Sequence, residues 1–191
     1  MIRLTIAGAL LASACGLQAA EQQARIEASG QEYSGSLSVN QAAGDFNQQV
    51  NGRTLAIGGN AQALHRQALQ QATSDLQRAS ARIDGAAFSG GNGVLGVNQA
   101  AGSGNQSINS LILQMGVGVA PQALDDFALA QSVAQAQVHS GAVAATPNAS
   151  RSVHLDDGAF AGSKGVVQLN QSAGVGNQAI NNVGIRVMSV P

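Results

Sequence analysis

Three groups of side-chain amides recur at one fixed spacing, and they are the residues whose chemistry this chain specifies most clearly. Asn40, Gln41, Asn47, Gln48 and Asn51 are followed by Asn98, Gln99, Asn105, Gln106 and Asn109, and then by Asn170, Gln171, Asn177, Gln178 and Asn181. An amide carries both a donor and an acceptor, so it can hydrogen-bond to a copy of itself. Identical amides brought into register therefore form a ladder. A column of like charges cannot, because its members would sit about 4.8 Å apart. The chemistry on offer is self-recognition, not bond-making.

The residues that usually carry catalysis or ligand binding are scattered. His65, His139 and His154 have no metal-ligand spacing. His154 with Asp156 and Asp157 runs into Gly158 and reads as a turn, and Asp125-Asp126 reads as the start of a helix. Gly90-Gly91-Asn92-Gly93 and Gly102-Ser103-Gly104 lack the Gly-Lys-Ser/Thr ending of a phosphate loop, and Ser163-Lys164-Gly165 has the wrong order. Asn105-Gln106-Ser107 and Asn170-Gln171-Ser172 match a glycosylation sequon only because the recurring amides spell it. No Ser, His and acid arrangement stands out. No enzyme, cofactor, metal site or small-molecule substrate is expected. With a net charge of -1 and a pI near 6.2, there is no field to attract nucleic acid or an anionic membrane.

The elements that must position the amides are three copies of one unit. Residues 37–57, 95–115 and 167–187 align without gaps, and seven positions of the twelve-residue centre are identical in all three. Leu37 and Val39 alternate with Ser36, Ser38 and Asn40, the period of a strand with one buried face. Gly44, Gly102 and Gly174 supply a tight turn. Alternation resumes after Asn51, where Leu55 and Ile57, Leu113 and Met115, and Ile185 and Val187 match. Each unit reads as a β-arch or hairpin with one apolar seam and one amide-rich rim. The second unit, 93–115, has no charged residue and no Pro, and the three units hold only Asp45, Arg53 and Arg186. Low charge, β-forming residues and no Pro are the composition of cross-β segments. Phe88 and Phe160 each lie ten residues before the first Asn of their unit, while the first copy has Tyr33, three residues closer. They mark a recurring aromatic anchor.

The expected fold is mainly β: three strand–turn–strand repeats stacking as a β-solenoid or cross-β layer, joined by Gln/Ala-rich linkers that are helical or flexible. In 60–83, Leu64, Ala68, Ala72, Leu76, Ala79 and Ile83 fall on one helical stripe. In 121–140 a weaker stripe follows Pro121. The organisation is a signal peptide over 1–20, an N-terminal segment over 21–34, repeats at 35–57, 93–115 and 165–187, linkers at 58–92 and 116–164, and a tail at 188–191. The signal peptide rests on Arg3, the apolar run from Leu4 to Leu11, and small residues up to Ala19-Ala20. Cleavage after Ala19 or Ala20 removes Cys15; Ala12-Ser13-Ala14-Cys15 offers lipidation at Cys15 as the alternative. Without Cys15 the chain has no cysteine for a disulfide.

Composition agrees with this assignment. Charged residues are 10% and aromatics 3%, with no Trp, against 24 Gly, 22 Gln and 13 Asn. A conventional enzyme core leans on more aromatics, and a disordered chain is less apolar than 45% hydrophobic.

The pattern V-N-Q-A-A-G-x-x-N-Q-x-I/V-N, in three copies separated by Gln/Ala-rich spacers behind a signal sequence, resembles the subunits of the Fap functional amyloids of Pseudomonas-type bacteria. The resemblance implies export through the periplasm and an outer-membrane pore, then assembly with itself and related subunits into extracellular biofilm fibres. Main subunits of that family carry a Cys-x-x-Cys near the C-terminus, whereas this sequence reads Val187-Met188-Ser189-Val190-Pro191 there. A minor, nucleating or accessory role is therefore implied alongside that of a subunit. The alternatives are a soluble periplasmic accessory of the same system and a monomeric β-solenoid adhesin.

Overall fold

The structure is a computed structural model that describes residues 21–59, 63, 65, 67–69, 78–116, 131–133 and 150–188. Residues 1–20, read above as a signal peptide and containing Cys15, lie outside the described residues, as do His139, Asp125 and Asp126.

Nine strands build three equivalent rungs. The first rung is β1 (Glu21–Glu27), β2 (Ser34–Ala43) and β3 (Gln48–Ile57). After β4 (Gln67–Leu69), the second is β5 (Arg78–Asp84), β6 (Asn92–Ser103) and β7 (Gln106–Met115). After β8 (Gln131–Val133), the third is β9 (Ser150–Leu155), β10 (Lys164–Val175) and β11 (Gln178–Val187). Corresponding strands pair in parallel to give sheets β1-β5-β9, β2-β6-β10 and β3-β7-β11. The short β4 and β8 pair with each other. Rung two is thus the middle layer of all three main sheets.

Register follows the repeat residue for residue. Asn40, Asn98 and Asn170 stand in one column, and Asn51, Asn109 and Asn181 in another. A slip of one residue would exchange the faces of a strand, and every amide would then lose its like neighbour. Consecutive strands of a rung enter different sheets, so each unit is a β-arch and not a hairpin.

The two gaps between the sheets have opposite character. Between the first and second sheets lies the apolar core. It contains Ile26, Ile83, Leu95, Val97 and Phe88, with Leu37, Val39, Leu169 and Phe160 packed against it. Ala24, Ala79, Ala81 and Ala101 continue it toward the arch. Between the second and third sheets the filling is amide. Asn51 donates to Val39 O at 3.1 Å and Gln49 to Gln41 O at 2.8 Å. This gap is narrow: a Cβ on Gly96 would meet Asn51 Oδ1 at 2.5 Å. The amides therefore do not form a rim, as the sequence suggests, but line an interior. Burial is steepest in rung two, where Leu95 to Ser103 and Gln106 to Ile112 are buried without a break.

Helical linkers are not observed; the described residues contain strands, arches and turns and no helix. Ala79 and Ile83, assigned above to a helical stripe, sit with Ala81 on the buried face of β5, at a period of two. Propensity favoured helix, and pairing with β1 and β9 overrode it. Of the other stripe positions, Ala68 lies in β4, while Leu64, Ala72 and Leu76 lie outside the described residues. The ranges 21–34, 58–92 and 116–164, read as N-terminal segment and linkers, each contain a strand of the first sheet.

The aromatic anchor is confirmed for two rungs and displaced in the first. Phe88 and Phe160 stack with centroids 5.4 Å apart. Both have left-handed backbone, at φ 58° and 61°. Gly30 takes that place in rung one at φ 68°, and a Cβ there would meet the Phe88 ring at 2.6 Å. Tyr33 is offset because its ring occupies the space over Gly91 instead.

Candidate functional site

The amide columns are the candidate site, and their geometry repeats from rung to rung. In the first column Asn98 Nδ2 donates to Asn40 Oδ1 and Asn170 Nδ2 to Asn98 Oδ1, both at 3.0 Å. In the facing column Asn109 donates to Asn51 at 2.9 Å and Asn181 to Asn109 at 3.0 Å. The columns are cross-linked within each rung: Asn51 to Asn40 at 2.8 Å, Asn109 to Asn98 at 3.0 Å and Asn181 to Asn170 at 2.9 Å. One double ladder therefore closes the gap between the second and third sheets.

Gln41, Gln99 and Gln171 project the other way and tie the second sheet to the first. Gln99 donates to Gln41 Oε1 at 2.7 Å and Gln171 to Gln99 Oε1 at 2.8 Å. Each also donates to a first-sheet carbonyl in its own rung, Arg25 O, Arg82 O or His154 O, at 2.7, 2.8 and 2.9 Å. In the arches, Asn105 donates to Asn47 Oδ1 at 2.9 Å and Asn177 to Asn105 Oδ1 at 2.8 Å. The preceding Gly44, Gly102 and Gly174 hold φ of 98°, 114° and 135°, values that bulkier residues rarely adopt.

The fifth column is incomplete. Gln106 Nε2 reaches Gln48 Oε1 at 3.1 Å. Gln106 Oε1 is buried with no hydrogen-bond partner among the described residues, although Gln178 stands in register with it. Fourteen of the fifteen sequence-marked amides join a ladder bond, and Gln178, exposed on β11, makes none among the described residues.

An amide hydrogen bond adds only about 1 kcal/mol net, whereas a buried amide left unpaired costs about 1–3 kcal/mol. The ladders therefore act chiefly on register: any other alignment strands buried donors and acceptors.

Sequence reasoning missed an electrostatic column on the outer face of the first sheet. Arg25, Arg82 and His154 are in register, which stacks the like charges of Arg25 and Arg82 as the units themselves avoid. Asp84 relieves it. It accepts from Arg25 Nε at 2.8 Å and from Arg82 Nε at 3.3 Å, and lies 3.6 Å from His154 Nε2. The Arg82 hydrogen bond, more than that of Arg25, holds the Asp84 carboxyl below the usual carboxylate range, against a contrary effect of burial. The signal was legible: Ala24-Arg25-Ile26-Glu27, Ala81-Arg82-Ile83-Asp84 and Val153-His154-Leu155-Asp156 are a further segment repeated three times.

Beside this column is an open cleft of about 400 Å³, lined by Glu21, Gln23, Arg78, Ser80, Ser150 and Ser152 among others. No group of three or more metal-binding side chains occurs among the described residues. Fit to identical neighbours is what the arrangement can do.

A family profile matches residues 10–188, and its description is functional amyloid protein FapB/FapC family. No solved structure matches the chain.

Proposed function

The chain belongs to the functional amyloid FapB/FapC family, and from that premise we propose that it is an exported structural protein whose three rungs add to those of further copies in an extracellular biofilm fibre. The observation that carries the proposal is the middle rung. Asn98, Gln99, Asn105 and Gln106 become 0% exposed by having a rung on either side, while Asn40, Gln41, Asn47 and Gln48 of rung one and Gln171, Asn177 and Gln178 of rung three remain partly or fully exposed, Asn170 alone being buried. Each open edge carries the complement that rung two finds inside the molecule: unpaired strand backbone, matched amides and a matched apolar seam. An uncovered sheet edge is a template for the next strand.

The export route inferred for the chain, through the periplasm and an outer-membrane pore, supplies the location for this assembly. The expected partners are copies of itself and related subunits. Its part as subunit, nucleator or minor component follows from how it behaves alone and in mixture. The test is to incubate the chain from Glu21 onward at neutral pH and record fibre diffraction. A meridional reflection near 4.7–4.8 Å with loss of soluble protein is the expected result. Lasting solubility, with delay of a related subunit's fibre growth at low ratio, would replace this reading with that of a soluble accessory.

A further inference from the structure

The amide ladders of the three stacked units all point the same way among the described residues. Nine inter-rung bonds join like amides, and in all nine the nitrogen belongs to the later rung and the oxygen to the earlier one. The two open edges are therefore chemically different. On rung one, Asn40 accepts from Asn51 and Asn98, but its own Nδ2 donates to no described residue. On rung three, Gln171, Asn177 and Asn181 donate inward through their nitrogens, while their side-chain oxygens accept from no described residue. Rung one thus leaves a donor unused, Asn40 Nδ2, and rung three leaves acceptors unused, the oxygens of Gln171, Asn177 and Asn181.

The glycine column has the same sense. A Cβ on Gly93 would meet Gly35 O at 2.0 Å, and one on Gly165 would meet Gly93 O at 2.0 Å. Each glycine directs its absent side chain toward the rung before it. Gly35 has no rung before it, and a Cβ there meets nothing within 4 Å.

We infer that copies of this chain mate only head to tail, the donor edge of rung one on the acceptor edge of rung three, giving a polar fibre with two unlike ends. Rung-one to rung-one contact would set donors against donors, and rung-three to rung-three contact would set acceptors against acceptors. In the head-to-tail arrangement Asn40 of one copy donates to Asn170 of the next, and Gly35 lies on the Gly165 carbonyl of that copy. Hydrogen bonds in a chain polarise one another, so each added copy extends an already aligned column.

This inference rests on the fibre reading above, and its test separates the two. Asn40→Asp keeps the oxygens that accept from Asn51 and Asn98, in an exposed residue of the free molecule, but removes the outward donor. Labelled Asn40→Asp protein is added at low ratio to wild-type seeds and wild-type monomer, and both fibre ends are followed by two-colour fluorescence microscopy. The variant docks through its intact rung three and then blocks the next addition. The expected result is growth lost at one end only, with label confined to that terminus.

Gly35→Ala is the second variant and is expected to cap the same end, since its methyl would strike the Gly165 carbonyl of the adjoining copy. Gly176→Ala, at φ 68° with nothing within 4 Å of its Cβ, controls for backbone strain and is expected to incorporate. Equal arrest of both ends, or Asn40→Asp label along the whole fibre, would overturn the polarity and leave the fibre reading standing. Failure of wild-type protein to form cross-β fibres would overturn both.

Discussion

Phe46 occupies in the first arch the position that Gly104 and Gly176 occupy in the other two, and all three have left-handed backbone, at φ 57°, 68° and 68°. The conformation is imposed by the arch, because Gly104 N donates to Asp45 O and Gly176 N to Ser103 O, both at 3.0 Å. A side chain in that region costs about 1–2 kcal/mol relative to glycine. The Phe46 ring gains little in return, being 54% exposed. Phe46→Gly should therefore stabilise the soluble chain by about 1 kcal/mol once the greater freedom of unfolded glycine is subtracted. Urea denaturation before any fibre forms measures it, and an unchanged or lower midpoint would show that Phe46 has contacts that repay its strain.

The aromatic stack should be unequal in its two members. Phe88 is 1% exposed, between Gly30 and the Phe160 ring, whereas Phe160 covers it from rung three and is only partly buried. Phe88→Ala should cost about 3–5 kcal/mol as a fully buried truncation, and Phe160→Ala clearly less. Gly30→Ala should also destabilise, because its methyl needs space held by the Phe88 ring. Denaturation midpoints of the three variants rank these costs, and a Phe160 cost above that of Phe88 would contradict the packing order.

Much of this architecture was legible because stacking like on like writes itself as repetition. Register, the glycine turns and fourteen ladder amides follow from lining up three segments. The strands of the first sheet were not found, for two reasons. They are short, and their inward residues Ala79, Ala81 and Ala24 are alanines, whose propensity is helical. Their membership is decided by partners such as Gln99, which spans the gap to Ala24 O and Arg82 O. The place of the amides inside rather than on a rim was also not readable. Alternation separates two faces of a strand but does not say that a third sheet covers the polar one.

Acid should loosen the first sheet before the other two. Arg82, then Arg25, hold the folded Asp84 carboxyl below its ordinary value. A lowered folded value means that this carboxylate stabilises the fold at neutral pH. That contribution is fully present above the unfolded value of about 3.9 and is lost as pH falls through the lower folded value. Asp84→Asn should destabilise the chain at neutral pH and remove this part of the acid sensitivity. The gap in denaturation midpoint between wild type and variant should narrow from about pH 4 downward. A gap that is constant across that range would mean that Asp84 acts by shape and not by charge.

An isosteric Asn→Asp change at a ladder position should outweigh the same change one strand face away. Asn109 is buried at the centre of the double ladder. Its Nδ2 lies within hydrogen-bonding distance of Asn51 Oδ1, Val97 O and Asn98 Oδ1, while its Oδ1 accepts from Asn170 and Asn181. Aspartate keeps the acceptor but turns a donating nitrogen into a charged oxygen facing three other oxygens. Burying an unpartnered charge among partners of the wrong sign costs about 3–5 kcal/mol, a large share of the stability of a chain this size. Asn182 on β11 is exposed and pairs in register with Ser110, outside the ladders. Asn182→Asp should therefore change stability by less than about 0.5 kcal/mol. Comparing the two in denaturation of the soluble chain and in the lag before fibre growth gives the check. Asn109→Asp should lower the midpoint and lengthen the lag, Asn182→Asp should do neither, and equal behaviour would mean that the ladders do not hold the register.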